Sequence, residues 1–204
     1  MSTNRLESFS DGVIAVAITL LVLNIDVPPT GAGHHLGHEL AANWSQYAAY
    51  AVSFLTIGII WVNHHVMISR LRAADHAILI GNLLLLMTIG ILPFATDLIA
   101  KHLHKGDGSS LAAAIYAGAF LLMGTAFGLL NRLILLRRTD MLAVEMPLAQ
   151  RRRILLRSAG GSVPYVIALG AAFVSPYATL AICAAIGIFY AFPVASGPDT
   201  GLNR

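Results

Sequence analysis

With 204 residues, 57% hydrophobic and only 11% charged side chains, and a mean hydropathy of +0.74, the chain carries more apolar surface than a soluble core of its length needs. That excludes a soluble globular domain and makes this an integral protein of a lipid bilayer. The formal net charge of +3 is not the footprint of a nucleic-acid partner, because the basic residues lie between apolar runs without aromatic interleaving.

Arg5, Glu7, Ser10 and Asp11 lead into a run that, counted from Phe9, continues to Ile25. It is long enough to cross a bilayer at about 1.5 Å per residue. A carboxylate inside such a run costs roughly 2.5–3.5 kcal/mol on insertion scales, so Asp11 needs a partner in protein or water. Two acids and no preceding basic cluster speak against a cleaved leader. At about 100° per residue, Val16, Leu20 and Leu23 fall within about 60° of one another, with Gly12 and Thr19 beside them and Asp11 about 140° from Val16. If the stripe lines a pore, Asp11 faces surrounding protein. Ordinary packing accounts for the stripe as well, because the helix is apolar on every face.

Residues 26–43 contain Pro28, Pro29 and the group His34, His35 and His38. They read as a solvated loop: His34 and His38 have a metal-pair spacing, but no further ligand completes a set, so no metal site is expected. The second span, about 44–67, ends Trp61-Val62-Asn63-His64-His65, and the third, about 78–100, carries Asn82 near its start. Antiparallel neighbours bring Asp11, Trp61, His64 or His65, and Asn82 to one depth, where an acceptor, an indole and an amide complement one another. A structural hydrogen-bond cluster is the leading reading; a proton relay or metal role for the histidines is the other. Pro93 predicts a kink in the third span.

The next loop, residues 101–110, holds Lys101, His102, His104, Lys105 and Asp107. With Asp26, Glu39 and Asp97 it makes one side modestly acidic, which either enriches cations at a mouth or reflects ordinary solvation. The fourth span, about 111–136, has Gly124 and Gly128 spaced for close helix contact. The Arg-rich stretch 137–157 resembles an anchor on anionic lipid. Spans at about 154–174 and 177–192 are predicted to form a hairpin turned at Ser175-Pro176, with inert Cys183 packed inside. A short tail, 193–204, is expected to be disordered. The fold class is therefore all-α: one six-helix domain over 1–204. Ten arginines, from Arg5 through Arg70, Arg137 and Arg153 to Arg204, fall on one side and Lys101 and Lys105 on the other, so both termini are expected in the cytoplasm.

Arg5, followed after three residues by Phe9-Ser10-Asp11 at the head of an apolar helix, resembles the signature of the transmembrane protein 175 family of potassium channels. Trp61-Val62-Asn63-His64-His65, and Asn82 with Pro93-Phe94, resemble that family's second and third helices. The resemblance covers the chain in span count and is most specific over the first three spans. It implies a prokaryotic single-unit member in the plasma membrane, crossing it several times and assembling as a homotetramer. First helices would line a pore permeable to K+ and other monovalent cations, with no Thr-Val-Gly-Tyr-Gly filter, which is absent here, and no cofactor beyond permeant K+.

Carried onto this chain, the resemblance makes Val16 the constriction, Leu20 and Leu23 successive rings, and Thr19 a hydroxyl beside them. The geometric stripe is the same set. Val16 is smaller than the isoleucine or leucine usual at the narrowest position, and Ala15 stands where a hydroxyl residue can occur. Arg5, Ser10, Asp11, Trp61, His64, His65 and Asn82 then form a structural polar cluster that braces the pore helix. The alternative from another class is a proton- or metal-coupled secondary transporter using Asp11, His64 and His65. An enzyme is not expected, since His64 and His65 are adjacent and no HExxH or Gly-x-Ser-x-Gly element occurs.

Overall fold

A computed structural model describes residues 3–29, 35–104, 106 and 108–191. The predicted tail, 193–204, together with His34, Lys105, Asp107 and Phe192, lies outside them. Among the described residues the regular structure is all-helical apart from one isolated bridge: α1 Thr3–Leu20, α2 Leu36–Ala42, α3 Trp44–Ile68, α4 His76–Gly90, α5 Leu92–His102, α6 Ser109–Arg132, α7 Leu148–Gly160, α8 Val163–Ala171 and α9 Pro176–Ala191. Among the described residues, five helical stretches are long and apolar enough to cross a membrane: Thr3–Asn24, Trp44–Ile68, His76–His102, Ser109–Arg137 and Leu148–Ala171. The segment expected to be the sixth span is helical as α9 over the 16 residues described, Pro176–Ala191.

Two of the breaks between helices have a local cause in proline. Pro93 lacks an N–H and crowds the preceding turn, so the third stretch is broken at Ile91 between α4 and α5. Pro164 acts likewise after Gly160-Gly161, separating α7 from α8 by a two-residue turn; hydropathy alone reads across that break. Within 26–43, expected to be loop throughout, α2 forms over Leu36–Ala42 with no buried residue. Of the two glycines expected at a helix contact, Gly124 fits, since a Cβ there would lie 3.1 Å from Ser162 Oγ. A Cβ at Gly128 would meet nothing within 4 Å, so that position does not need glycine for contact within the protomer.

The core is organised on α6, which packs against α4, α5, α7, α8 and α9. Tyr116 and Phe120 are fully buried and meet edge to face at 4.8 Å, and Phe120 stacks on Tyr165 at 5.6 Å. An orphaned hydroxyl here would cost roughly 1–3 kcal/mol, and a relay prevents it. Thr96 donates to the Leu92 carbonyl (2.8 Å), so it accepts from Ser53 (2.8 Å), which in turn accepts from the Tyr116 phenol (3.0 Å). Ser45 donates to the Ala100 carbonyl at 3.0 Å. Alpha-helices 8 and 9 form a hairpin in which Thr179 Oγ1 donates to the Ala168 carbonyl at 3.1 Å, and Cys183 is buried between packed helices.

At the arginine-rich end the two connections are stitched together. Leu71 and Leu142 form an antiparallel bridge, flanked by Arg72 N–H to the Met141 carbonyl (2.9 Å) and Ala143 N–H to the Arg70 carbonyl (2.8 Å). Asp75 caps α4 by accepting from Ile78 N–H at 2.9 Å and pairs with Arg138. That backbone N–H, with Arg138 adding to it, holds the Asp75 carboxyl below the usual carboxylate range.

Candidate pore face and its polar anchor

Alpha-helix 1 has two contrasting faces. Leu6, Ser10, Ile14, Ala17 and Leu21 are buried, a four-four-three-four spacing that keeps one side against α3 and α4. Turned about 120° from them, Val16 is 57% exposed, Leu20 42% and Leu23 74%, with Gly12 and Thr19 on the same flank. Thr19 Oγ1 shares its proton between the carbonyls of Ala15 (3.0 Å) and Val16 (2.9 Å).

The helix does not end as a regular α-helix. Leu21–Asn24 tightens into a 3₁₀ turn, in which residues three apart eclipse. Leu23 therefore stands over Leu20 instead of lagging by about 60°, and Val16 to Leu23 spans about 12 Å rather than the 10 Å of a uniform α-helix. Asn24 fixes this end by donating from Nδ2 to the Pro93 carbonyl at 2.7 Å. Sequence reasoning reaches neither feature. A polar residue closing an apolar run is the one signal that points to Asn24.

The polar anchor lies on and beside the buried face, with Ser10, His64 and Asn82 buried. Trp61 Nε1 donates to Asp11 Oδ1 at 2.8 Å. Asn82, fully buried, is the hub of a second set: Nδ2 donates to Ser10 Oγ at 2.9 Å, and Oδ1 lies 2.7 Å from His64 Nε2. An amide oxygen only accepts, so His64 carries its proton on Nε2. Ser10 in turn donates to the Leu6 carbonyl at 2.8 Å. His65 faces elsewhere and pairs through Nδ1 with Glu7, an acid to which sequence reasoning assigns no role. Apart from Arg5, the residues expected in one cluster thus fall into three separate groups along α1: Asp11 with Trp61, Ser10 with Asn82 and His64, and His65 with Glu7.

Arg5 departs from that expectation. It is exposed and makes no hydrogen bond or ion pair among the described residues. The reason is angular: eleven residues, or about three turns, separate it from Val16, which puts it on the open stripe and not on the anchored face.

At the opposite end, the side chain of Gln46 clamps Asp26, accepting from its N–H at 2.8 Å and donating to its Oδ2 at 3.0 Å. Lys101 lies 2.9 Å from Asp97 and 4.0 Å from Asp26. Trp44 stacks on Tyr177, whose hydroxyl lies 2.7 Å from His104 Nδ1; such amphipathic rings suit a membrane interface. Among the described residues, no three His, Cys, Asp or Glu side chains come close enough to hold a metal ion.

The fold is a bundle of apolar helices long enough to cross a membrane, whose first helix is held by polar groups along one side and carries exposed apolar side chains along the other. Residues 5–93 match the family model for the endosomal/lysosomal potassium channel TMEM175. A potassium channel of Streptomyces collinus is 43% identical over 193 residues, covering 93% of this chain and 92% of that protein. One from Chamaesiphon minutus is 36% identical over 200 residues, covering 93% of each. The crystal structure of a lysosomal potassium-selective channel TMEM175 homolog from Chamaesiphon minutus superposes with a TM-score of 0.82 at 33% identity, over 96% of this chain and 98% of that one. The chain belongs to the TMEM175 channel family and is not an enzyme.

Proposed function

We propose that this chain is a potassium-permeable cation channel of the plasma membrane of a prokaryote, in which four copies of α1 surround the conduction path. In this reading the chain crosses the bilayer six times with both termini in the cytoplasm, α9 belonging to the sixth span. The observation that carries it is the bare stripe of Val16, Leu20 and Leu23, exposed on a helix whose other face buries Leu6, Ser10, Ile14, Ala17 and Leu21. Three large apolar side chains in axial file match a hydrophobic constriction, which blocks ions by dewetting when narrow and conducts when it widens. Val16 forms the constriction, Leu20 and Leu23 the rings beyond it, and Thr19 supplies an adjacent hydroxyl.

Asp11, in this arrangement, positions the helix and does not touch the permeating ion. Its bond to Trp61 turns the carboxylate away from the stripe and satisfies a group that hydrocarbon would penalise. Ser10, Asn82 and His64 hold the same helix on its buried face beside Asp11, and Glu7 with His65 holds its start. The transporter alternative needs Asp11, His64 and His65 to act together, yet each has a different partner. The deciding experiment is reconstitution of the full chain in planar bilayers with K+ and Na+ substitution. Steady K+ currents in symmetric solutions support a channel; uptake that runs only with a proton gradient, without such currents, would replace it by the transporter.

A further inference from the structure

Alpha-helix 7 has a surface that the conduction path leaves unused. Its sequence, Leu148–Gly160, contains Arg151, Arg152, Arg153 and Arg157 and no acid, and none of its residues is buried. Its inner side is occupied: Ile154 and Leu155 pack against the core, Ser158 Oγ accepts from Asn131 Nδ2 at 3.0 Å, and Arg151 Nε donates to the Met146 carbonyl at 2.7 Å. The outer side is a shallow groove lined by Leu148, Ala149, Arg152, Arg153, Leu156 and Arg157. Arg152 and Arg153 are exposed and, among the described residues, have no hydrogen bond or ion pair of their own.

We propose that this groove binds the headgroup of an anionic phospholipid, with the phosphate over Ala149 between Arg152 and Arg153 and an acyl chain along Leu156 toward α8. Ala149, Arg152, Arg153 and Leu156 stand at i, i+3, i+4 and i+7, one face of the helix, with the small residue leaving room between the two cations. Leu156 is 74% exposed, which suits a lipid tail better than water. The next exposed apolar residues along the chain are Val163, Val166 and Ile167 on the membrane-spanning stretch. Val163 follows seven residues after Leu156, just beyond the turn that separates α7 from α8, so in this proposal the groove sits where headgroup gives way to hydrocarbon. That continuity, with guanidinium groups above leucine, favours lipid over a soluble acidic partner. The end of α6 and the π-helical turn Leu133–Arg137 that follows it repeat the chemistry: Leu129, Arg132, Leu133 and Arg137 line a second depression.

The test uses the full chain in neutral detergent, titrated separately with phosphatidylglycerol and phosphatidylcholine and read by native mass spectrometry as bound lipid per subunit. Phosphatidylglycerol should be retained in clear preference, and R152Q/R153Q should weaken it roughly tenfold or more while leaving phosphatidylcholine binding unchanged. Both arginines are exposed, so the variant should keep its elution profile, and the preference of the unmodified chain is informative without it. Equal retention of the two lipids overturns the proposal, as does undiminished phosphatidylglycerol binding by R152Q/R153Q. Displacement of the lipid by millimolar inorganic phosphate or by polyglutamate would assign the groove to a free anion or an acidic polypeptide instead.

Discussion

The indole of Trp61 donates to the Asp11 carboxylate across 2.8 Å, joining the middle of α1 to the C-terminal half of α3 and turning the acid away from the stripe that carries Val16. Trp61→Phe keeps an aromatic ring and removes the donor. It should lower stability by about 1–2 kcal/mol, seen as a lower unfolding midpoint in detergent and less assembled protein, with K+ over Na+ selectivity unchanged. An altered reversal potential in well-assembled Trp61→Phe protein would mean that Asp11 acts on the ion.

Asn82 should be the more sensitive position, because it is fully buried and serves two partners. Asn82→Leu strands the His64 Nε2–H and removes the donor to Ser10, a loss of about 2–4 kcal/mol. Thermal unfolding should place it well below Trp61→Phe; an equal or smaller loss would show that water replaces the amide.

Much of the fold is legible in the sequence because bilayer hydropathy is a strong, one-dimensional signal. The stretches around α3, the α4–α5 pair and α6 fall within a few residues of expectation. The polar partners of α1 can be anticipated because antiparallel spans put Asp11, Trp61, His64 and Asn82 at one depth and each needs a complement. Depth does not resolve azimuth, however: it does not separate His64 on Asn82 from His65 on Glu7, and it draws Arg5 into a cluster from which that side chain faces away. The 3₁₀ turn at Leu21–Asn24 is hidden for a different reason, since it is stabilised by packing and by a tether to Pro93, 69 positions away in sequence, and has no local signature.

That tether makes a prediction of its own. Asn24→Ala frees the end of α1 from the Pro93 carbonyl, costs about 1 kcal/mol and lets Leu23 slip out of line with Leu20. Single-channel conductance should change while assembly is retained. Unchanged conductance would show that the turn holds its register without Asn24.

Asp75 supplies a pH dependence. Its carboxyl is held low first by the Ile78 N–H, with Arg138 reinforcing it. A carboxylate depressed in the folded state contributes fully above its unfolded pKa of about 3.9, and the contribution fades as the pH falls below that and through the lower folded value. Asp75→Asn keeps the cap and removes the charge, so it should be less stable than the parent at neutral pH, the gap closing on acidification below about pH 4. Asp75→Ala also loses the cap, about 1 kcal/mol more. A gap between parent and Asp75→Asn that persists unchanged into acid would exclude the ion pair as its source.

The most direct measurement is the K+ current of the full chain in planar bilayers bearing Val16→Asn or Leu23→Asn, with Ile14→Val on the buried face for comparison. A polar ring wets a hydrophobic constriction, so both stripe variants should raise conductance several-fold or shift the K+ to Na+ reversal potential, while Ile14→Val does neither. Parental conductance and reversal potential in fully assembled Val16→Asn and Leu23→Asn channels would show that the ion passes along some other surface.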